Sequence, residues 1–338
     1  MKKIISFILL FIIPINVFAI ADTSKSSILV DMNSGRILYE KNSREQRLIA
    51  STTKIMTFVV ACENIKNINK HLIVGSEVLS IYGSSIYLEV GEKITIKDLL
   101  YGLMLRSGND AAVVLAKNTA KDEKEFVKLM NRKAKDLGMN DTRFENCHGL
   151  DDDTKNYSTA YDMAKLSKYA HSLKLYRTIS KTKKYETSSN FKSFVWYNRN
   201  KLLTQYEYAT GGKNGYTPKA GRTLVTTASH NGLNLSVVTL NDYNEYETHE
   251  SLYDYAYKNY RNYKILDRKR FKLKGKKLEK AYIKHDFTYP LTKEEEKQIK
   301  TDIKIAKLNH YKAGQIIGTV TVYLDNNRIY KGNIYIKK

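Results

Sequence analysis

Ser51 and Lys54 have the spacing of a nucleophile and its base. The residues that follow, 55–62, are apolar enough to form a buried helix, and positions i and i+3 of a helix share one face. A serine hydroxyl becomes a useful nucleophile only when a base takes its proton. Burial and the positive end of the helix dipole both disfavour the ammonium form of Lys54, which frees its amine for that task. A serine that merely caps a helix has the same appearance.

Two further motifs add weight to this pair. Ser107-Gly108-Asn109 lies between two apolar helical segments, and Lys213-Asn214-Gly215 precedes the strand-like segment 222–228. Taken singly, the first could be a plain turn and the second a glycine-rich hairpin loop. The order Ser-x-x-Lys, Ser-x-Asn, Lys-x-Gly is the motif set of class A β-lactamases and penicillin-binding proteins. Coincidence of all three is improbable, so the sequence predicts acyl transfer through Ser51.

The elements around these motifs predict an α+β catalytic domain. A hairpin signal at 28–40 is centred on Asn33-Ser34-Gly35, and helical patterns fill the middle of the domain. The helical segments are 51–65, 96–106, 111–118, 123–137, 159–171 and 250–260, and the later strands are 195–198, 224–228 and 233–240. Strands at both ends with helices between them predict one antiparallel sheet, built from both ends of the domain and packed by helices.

A second domain is expected from about residue 263, where short alternating segments replace the helices. Segments 271–274 and 318–324 have the alternation of strands, and Asp325-Asn326-Asn327 is a turn before a last strand. The predicted domains are therefore a signal peptide (1–21), a catalytic domain (22–262) and a C-terminal β-rich domain (263–338).

Export is indicated by the first 21 residues. Met1-Lys2-Lys3 precedes the apolar run 4–20, and Ala19-Ile20-Ala21 offers small residues for signal peptidase. An uncleaved anchor is the alternative reading. Export permits a disulfide between Cys62 and Cys147, although Cys62 lies among apolar neighbours, where a buried free thiol is ordinary and is the favoured reading. No cluster of residues has metal-ligand spacing, so neither a metal nor a cofactor is expected.

The chain is strongly basic, with a formal net charge of +22. Residues 263–338 hold 20 lysines and arginines against 8 aspartates and glutamates. Export argues against a nucleic-acid partner and favours anionic wall polymers or the membrane surface. A composition in which lysine is simply the default surface residue would give the same charge.

The chain resembles the low-molecular-mass penicillin-binding proteins, specifically the serine D-alanyl-D-alanine carboxypeptidases. The resemblance covers about residues 27–260 and, more loosely, the β-rich domain. Beyond the three motifs it is carried by segments 83–85, 91–92, 99–112, 148–151, 158–162 and 198–203. It implies an exported enzyme of cell-wall maturation that removes the terminal D-Ala from peptidoglycan stem pentapeptides and binds β-lactams covalently.

The resemblance also implies roles for individual residues. Ser51 would be acylated, Lys54 would be its base, and Ser107 would relay a proton to the leaving amine. The other implied site residues bind substrate: Asn109, Lys213, Asn214, Gly215, Tyr216, Thr217 and Arg199. The backbone N–H groups of Ser51 and Tyr216 would form the oxyanion hole, and Gly215 would allow the strand to approach closely.

Departures from the family pattern concern the substrate carboxylate. Asn214 stands where the family usually has threonine, but its amide can still donate a hydrogen bond. Thr217 could contribute a hydroxyl, and Lys213 would attract the carboxylate. Arg199 is a second candidate cation, although a structural ion pair is an equally good reading.

Three alternatives remain at this stage. A class A β-lactamase needs a Glu-x-x-Leu-Asn stretch between the second and third motifs, and none occurs. The second alternative is a degenerate relative that binds the cell wall without catalysis. Asn214, in place of the usual threonine, supports this alternative, whereas the intact Ser51, Lys54 and Lys213 argue against it. Endopeptidase action on cross-links would use the same site.

Overall fold

The computed structural model describes residues 20–275, 278–306 and 312–337. Residues 1–19 of the predicted signal peptide therefore lie outside the described residues. Within the described ranges, no helix combines the length and the hydropathy that crossing a bilayer requires.

The centre of the catalytic domain is a five-stranded antiparallel sheet. Its strands are β1 (Ser26–Asp31), β2 (Ile37–Lys41), β9 (Ala209–Thr217), β10 (Gly221–His230) and β11 (Leu233–Leu240). The order β2-β1-β11-β10-β9 places β1 beside β11, with Ser26 opposite Leu240. The prediction of one sheet built from both ends of the domain is confirmed.

Helices cover both faces of this sheet. They are α1 (Lys54–Asn64), α2 (Ile96–Tyr101), α3 (Asn109–Thr119), α4 (Glu123–Asp136), α5 (Ala160–Ser172), α6 (Lys174–Lys181), α7 (Leu202–Gln205) and α8 (Glu245–Asn259). Successive residues of a strand point to opposite faces, and β11 shows the consequence. Val238 packs in the larger core with α1 to α6, whereas Val237 packs in a second core with α7 and α8.

Several local predictions need correction. The helix expected from Ser51 starts as a 3₁₀ turn, Ala50–Thr53, and α1 begins only at Lys54. α2 continues as a π-helical turn, Gly102–Arg106, and α8 begins five residues before its predicted start. Short strands complete the domain: β3 (Arg47–Leu48), β4 (His71–Ile73), β5 (Lys93–Thr95), β6 (Tyr157–Ser158), β7 (Lys184–Ser188) and β8 (Ser193–Tyr197).

In its described residues the C-terminal domain is β-rich, as predicted, and also contains a helical turn, α9 (Lys293–Glu296). Its strands are β12 (Arg261–Leu266), β13 (Ala281–Tyr282), β14 (Phe287–Leu291), β15 (Ile299–Ile305), β16 (Ile316–Leu324) and β17 (Asn327–Ile336). Its own core centres on Val320, Val322 and Ile334. The predicted strand at 271–274 is wrong, because Phe271 and Leu273 pack on this core and pair with no strand among the described residues.

Arg36, at the start of the β1–β2 hairpin's second strand, ties the two domains together. Its guanidinium pairs with Glu295 of α9 and donates to the carbonyl of Pro290. It also lies 5.3 Å from the ring centre of Tyr260 and 5.2 Å from that of Tyr289. The largely buried guanidinium of Arg36 therefore connects the catalytic domain to the C-terminal domain.

Candidate active site

Lys54 is the centre of a buried polar cluster. Its Nζ lies 2.9 Å from Ser51 Oγ, 2.7 Å from Asn109 Oδ1 and 2.6 Å from the carbonyl oxygen of His148. The Lys54 side chain has no exposed surface. The 3₁₀ turn brings Ser51 directly over the first residue of α1, which is why the two side chains meet.

The pKa of Lys54 is lowered to about 7. Burial is the largest cause, because an ammonium group loses its hydration there. The positive charge of Arg199 lowers the pKa further, whereas Cys147 and Asp110 act in the opposite direction. Near neutral pH a large share of the Lys54 amine is therefore unprotonated and able to accept a proton.

The turn that carries Ser51 is held by a loop at residues 146–150. Gly149 has φ +93°, and a Cβ there would lie 2.0 Å from the carbonyl oxygen of Ala50. Only glycine allows this approach. Asn146 Oδ1 accepts the N–H of Gly149 at 2.6 Å, and Asn156 Nδ2 donates to Thr53 Oγ1 at 2.9 Å. The loop thereby presents the His148 carbonyl to Lys54.

The second motif lies at the junction of the π-helical turn and α3. Ser107 has a left-handed backbone, with φ +64°. In the described chain its hydroxyl makes no hydrogen bond, so it is available to a substrate. Asn109 is fixed instead: its Nδ2 donates to the carbonyl of Tyr82 at 2.6 Å, and its N–H donates to that of Ser84 at 2.7 Å.

The third motif lies on β9, the edge strand of the sheet, and not in a loop before a strand. A Cβ at Gly215 would lie 2.8 Å from the backbone nitrogen of Ser51, so glycine lets β9 come up against the nucleophile turn. Lys213 is buried, and its Nζ donates to the Asn214 carbonyl at 2.6 Å. Burial, followed by the charges of Lys54 and Arg199, holds the pKa of Lys213 well below its ordinary value.

Two other predicted residues on β9 point elsewhere. Tyr216 is exposed, with 61% of its surface accessible. Thr217 is buried, and its hydroxyl donates to Asp151 Oδ2 at 2.5 Å. That hydroxyl also accepts the N–H of Ala220 at 3.0 Å. Thr217 therefore anchors the end of β9 in this structure and leaves Asn214 as the polar side chain facing the cleft.

Arg199 stands at the cleft as a cation without a carboxylate partner among the described residues. Its Nη1 donates to Ser84 Oγ at 2.7 Å. The structural ion pair considered from sequence is thus not found for Arg199, whereas Arg222 lies 3.5 Å from Glu245. Arg199 and Asn214 share the wall of a cavity of about 860 Å³, whose lining also includes Glu245, Glu247 and Glu250. The Arg199 guanidinium and the Asn214 amide are the donors on this wall that a substrate carboxylate would accept from.

Cys62 and Cys147 are both free thiols, so the disulfide left open by the sequence is not formed. Burial raises the pKa of each thiol, to about 12 for Cys62. Among the described residues no group of histidine, cysteine and acidic side chains could hold a metal ion.

Sequence reasoning missed several residues that shape the site. Asp110 is buried beside Asn109, and its carboxylate accepts the N–H groups of Ile86 and Leu88 at 3.1 Å. Asn146 and Asn156 were not identified, and the His148 carbonyl is a backbone group that has no residue-type signature. Asp110 gave a weak signal, as an aspartate directly before the apolar segment 111–116, whereas the neighbours of Asn146 and Asn156 are mostly polar and gave none.

The chain is similar to known proteins over both domains. A family profile described as D-alanyl-D-alanine carboxypeptidase matches residues 16–244, and one described as penicillin-binding protein 5, C-terminal domain, matches residues 261–338. D-alanyl-D-alanine carboxypeptidase DacF of Bacillus subtilis is 33% identical over 340 residues, covering 94% of this chain and 86% of that protein.

A second relative and a solved structure agree with these matches. D-alanyl-D-alanine carboxypeptidase of Streptomyces sp. (strain K15) is 36% identical over 216 residues, covering 59% of this chain and 74% of that protein. The structure of penicillin-binding protein 5 from Haemophilus influenzae superposes with a TM-score of 0.79 at 26% identity, covering 94% of this chain and 97% of that one.

Proposed function

Because this chain belongs to the D-alanyl-D-alanine carboxypeptidase family (Peptidase_S11) and ends in its penicillin-binding protein 5 C-terminal domain, we propose that it cleaves stem pentapeptides through an acyl-enzyme on Ser51. It is a serine-type D-Ala-D-Ala carboxypeptidase that acts on peptidoglycan outside the cytoplasm. The proposal adds the residues that perform the reaction and the form of its substrate.

The observation that carries this proposal is the 2.9 Å contact between the fully buried Lys54 Nζ and the Oγ of Ser51, which is partly exposed. A base is most effective when its pKa is close to the working pH. The pKa of Lys54, about 7, meets that requirement. Lys54 therefore takes the proton of Ser51 as the hydroxyl attacks the carbonyl of the penultimate D-Ala.

The tetrahedral intermediate needs donors for its oxyanion. The backbone N–H groups of Ser51 and Tyr216 fill this role, supported by the approach of β9 to the Ser51 turn at Gly215. A larger residue at position 215 would push the strand away from the turn and separate the two donors.

Ser107 transfers a proton to the amine of the leaving D-Ala. Its hydroxyl is free of partners within the described chain, and its fixed left-handed backbone limits where the hydroxyl can point. Asn109 positions the Lys54 amine through the 2.7 Å contact with Oδ1. Water then attacks the acyl-enzyme, and the tetrapeptide leaves after the free D-Ala.

The C-terminal carboxylate of the substrate binds between Lys213, Asn214 and Arg199. Burial lowers the pKa of Lys213 well below its ordinary value. An arriving carboxylate favours the ammonium form and raises that pKa, so substrate binding and protonation of Lys213 support each other. Thr217 supports the strand that carries these groups through its bond to Asp151.

The test compares wild-type protein with Ser51→Ala in two assays. The first is covalent labelling by a fluorescent penicillin, and the second is release of free D-Ala from a synthetic pentapeptide. Ser188→Ala, an exposed serine on β7, is the matched control and keeps both activities. Labelling of Ser51→Ala would refute the nucleophile. Wild-type protein that binds sacculi but releases no D-Ala would instead favour the non-catalytic wall-binding protein.

Export and wall attachment complete the proposal. Residues 1–21 act as a signal peptide, and the basic C-terminal domain holds anionic wall polymers. Arg268, Lys269 and Arg270 form an exposed basic turn suited to phosphate groups. Sacculi should retain the protein at low salt, and removal of their phosphate polymers or replacement of the three residues by glutamine should release it.

A further inference from the structure

Tyr87 has a left-handed backbone conformation, which is strained for a bulky side chain. In the described chain eight residues other than glycine have a left-handed backbone. Five of them are asparagine or aspartate, for which this conformation is common. The other three are Ala50, Ser107 and Tyr87, with φ of +46°, +64° and +64°. Ala50 precedes Ser51, and Ser107 belongs to the second motif, so Tyr87 is the one of the three without a role in the proposed function.

The backbone of Tyr87 is held in this conformation from several sides. Its N–H donates to Ser85 Oγ at 2.7 Å, and its carbonyl accepts Lys192 Nζ. The N–H groups of the two flanking residues donate to Asp110, as described above. Asp110 is 2% exposed and follows Asn109 directly. Asp110, the residue after the second motif, therefore fixes the backbone on both sides of Tyr87.

The side chain of Tyr87 is largely exposed, whereas its backbone is held by hydrogen bonds. It is 76% exposed, and within the described chain its ring has no stacking partner and its hydroxyl no hydrogen bond. The phenol is nevertheless close enough to Arg199 to affect the pKa of the guanidinium. Arg199 in turn bonds Ser84 of the same loop. The loop that carries Tyr87 therefore contacts Arg199 directly, and most of the Tyr87 ring surface is open to a bound molecule.

A glycine would satisfy this backbone without strain, and asparagine would adopt it readily. The chain instead carries a large aromatic side chain at a strained position, which is a common feature of ligand clamps. Most of the ring surface is exposed in the described chain, so a bound molecule has room to pack against it.

We infer that Tyr87 is a specificity-determining residue whose ring packs against the acyl-donor peptide, and against the bicyclic ring system of a penicillin, beside the carboxylate bound at Arg199. This inference rests on the proposed function, because it assumes that the substrate lies in the cleft between Ser51 and Arg199. The ring contributes apolar contact in both the bound substrate and the transition state.

Three substitutions separate the ring from the backbone. Tyr87→Asn and Tyr87→Gly keep the left-handed backbone and remove the ring, whereas Tyr87→Phe keeps the ring. Loss of a contact made equally in substrate and transition state raises KM and leaves kcat unchanged. We expect KM for the pentapeptide to rise about tenfold in the Asn and Gly variants, with kcat within about threefold, and the Phe variant to stay within about twofold of wild type.

The same variants are tested for acylation by fluorescent penicillin, with thermal midpoints to verify folding. Tyr197→Thr, on β8, removes another exposed tyrosine and should leave KM unchanged. Unchanged KM in both the Asn and Gly variants would overturn the inference, as would a fall in kcat alone, which indicates a structural role for the loop. Wild-type protein that neither releases D-Ala nor becomes labelled would overturn the proposed function itself, and this inference with it.

Discussion

Replacing Asn109 with aspartate tests whether Lys54 acts as a neutral base. The substitution preserves shape and places a carboxylate at the position now occupied by Oδ1, 2.7 Å from Lys54 Nζ. A carboxylate at this distance stabilises the ammonium form, so the pKa of Lys54 must rise. The base would then be protonated at neutral pH, and acylation would slow even though every catalytic side chain is present.

The size of the effect follows from the pKa of Lys54, which is about 7 in the present structure. An adjacent opposite charge shifts a pKa by about 1–3 units. A shift of about two units would lower the neutral fraction at pH 7 from about a half to about 1%, and acylation about 50-fold. The rate should recover toward its plateau above about pH 9.

The assay is the second-order rate of acylation by a fluorescent penicillin between pH 5.5 and 10. Asn118→Asp, on the same helix α3, is the matched control, because it adds the same charge more than two helical turns away. Asn109→Asp also removes the hydrogen bond from Nδ2 to the Tyr82 carbonyl. This loss lowers the maximal acylation rate at high pH but does not move the midpoint of the pH–rate profile. If the pH–rate profile of Asn109→Asp keeps the midpoint of the wild-type profile, Lys54 is not the titrating base.

Three further predictions concern positions outside the nucleophile–base pair. Gly149→Ala places a methyl group against the Ala50 carbonyl; it should destabilise the fold by about 3 kcal/mol or more and abolish penicillin labelling, measured by thermal melting and gel fluorescence. Asn214→Thr restores a hydroxyl beside the carboxylate site and should raise kcat/KM for the pentapeptide about tenfold. Arg36→Met removes the cation that pairs with Glu295, so limited proteolysis near the domain junction should accelerate while kcat stays unchanged.

Each of these predictions has its own control. Gly138→Ala also meets a left-handed backbone, with φ +67°, but its new Cβ would lie in open space; it should cost much less stability than Gly149→Ala, and equal losses would contradict the steric argument. An Asn214→Thr enzyme slower than wild type would show that the amide is the better donor. Arg44→Met, which leaves the domain junction intact, should not change proteolysis.

The three motifs could be predicted from sequence because their chemistry depends on side chains. Ser51 and Lys54 need a hydroxyl and an amine one turn apart, and the structure does place them at 2.9 Å. The fold class followed from the distribution of strands and helices along the chain. These features are local, so spacing and periodicity report them directly.

The remaining features depend on tertiary closure. The His148 carbonyl reaches Lys54 only because Gly149 allows the loop to touch Ala50, and a backbone oxygen leaves no trace in composition. Gly211 to Gly215 looked like a possible loop because glycine is rare in strands, yet β9 is an edge strand that must lie against the Ser51 turn. The pattern at 271–274 alternates like a strand, but this segment pairs with no strand in the part of the chain that the structure describes.

The pairing of β1 with β11 has a consequence for how the protein acquires activity. Ser26 lies opposite Leu240, so the central strands meet only after a loop of more than 200 residues has closed. Contacts so distant in sequence slow folding. The Ser51 turn is bonded to the same sheet, since Thr223 Oγ1 donates to the Ile49 carbonyl. We therefore expect the Ser51 turn to reach its final position only after β1 has paired with β11, so that a chain not yet synthesised or translocated as far as β11 is not labelled by penicillin.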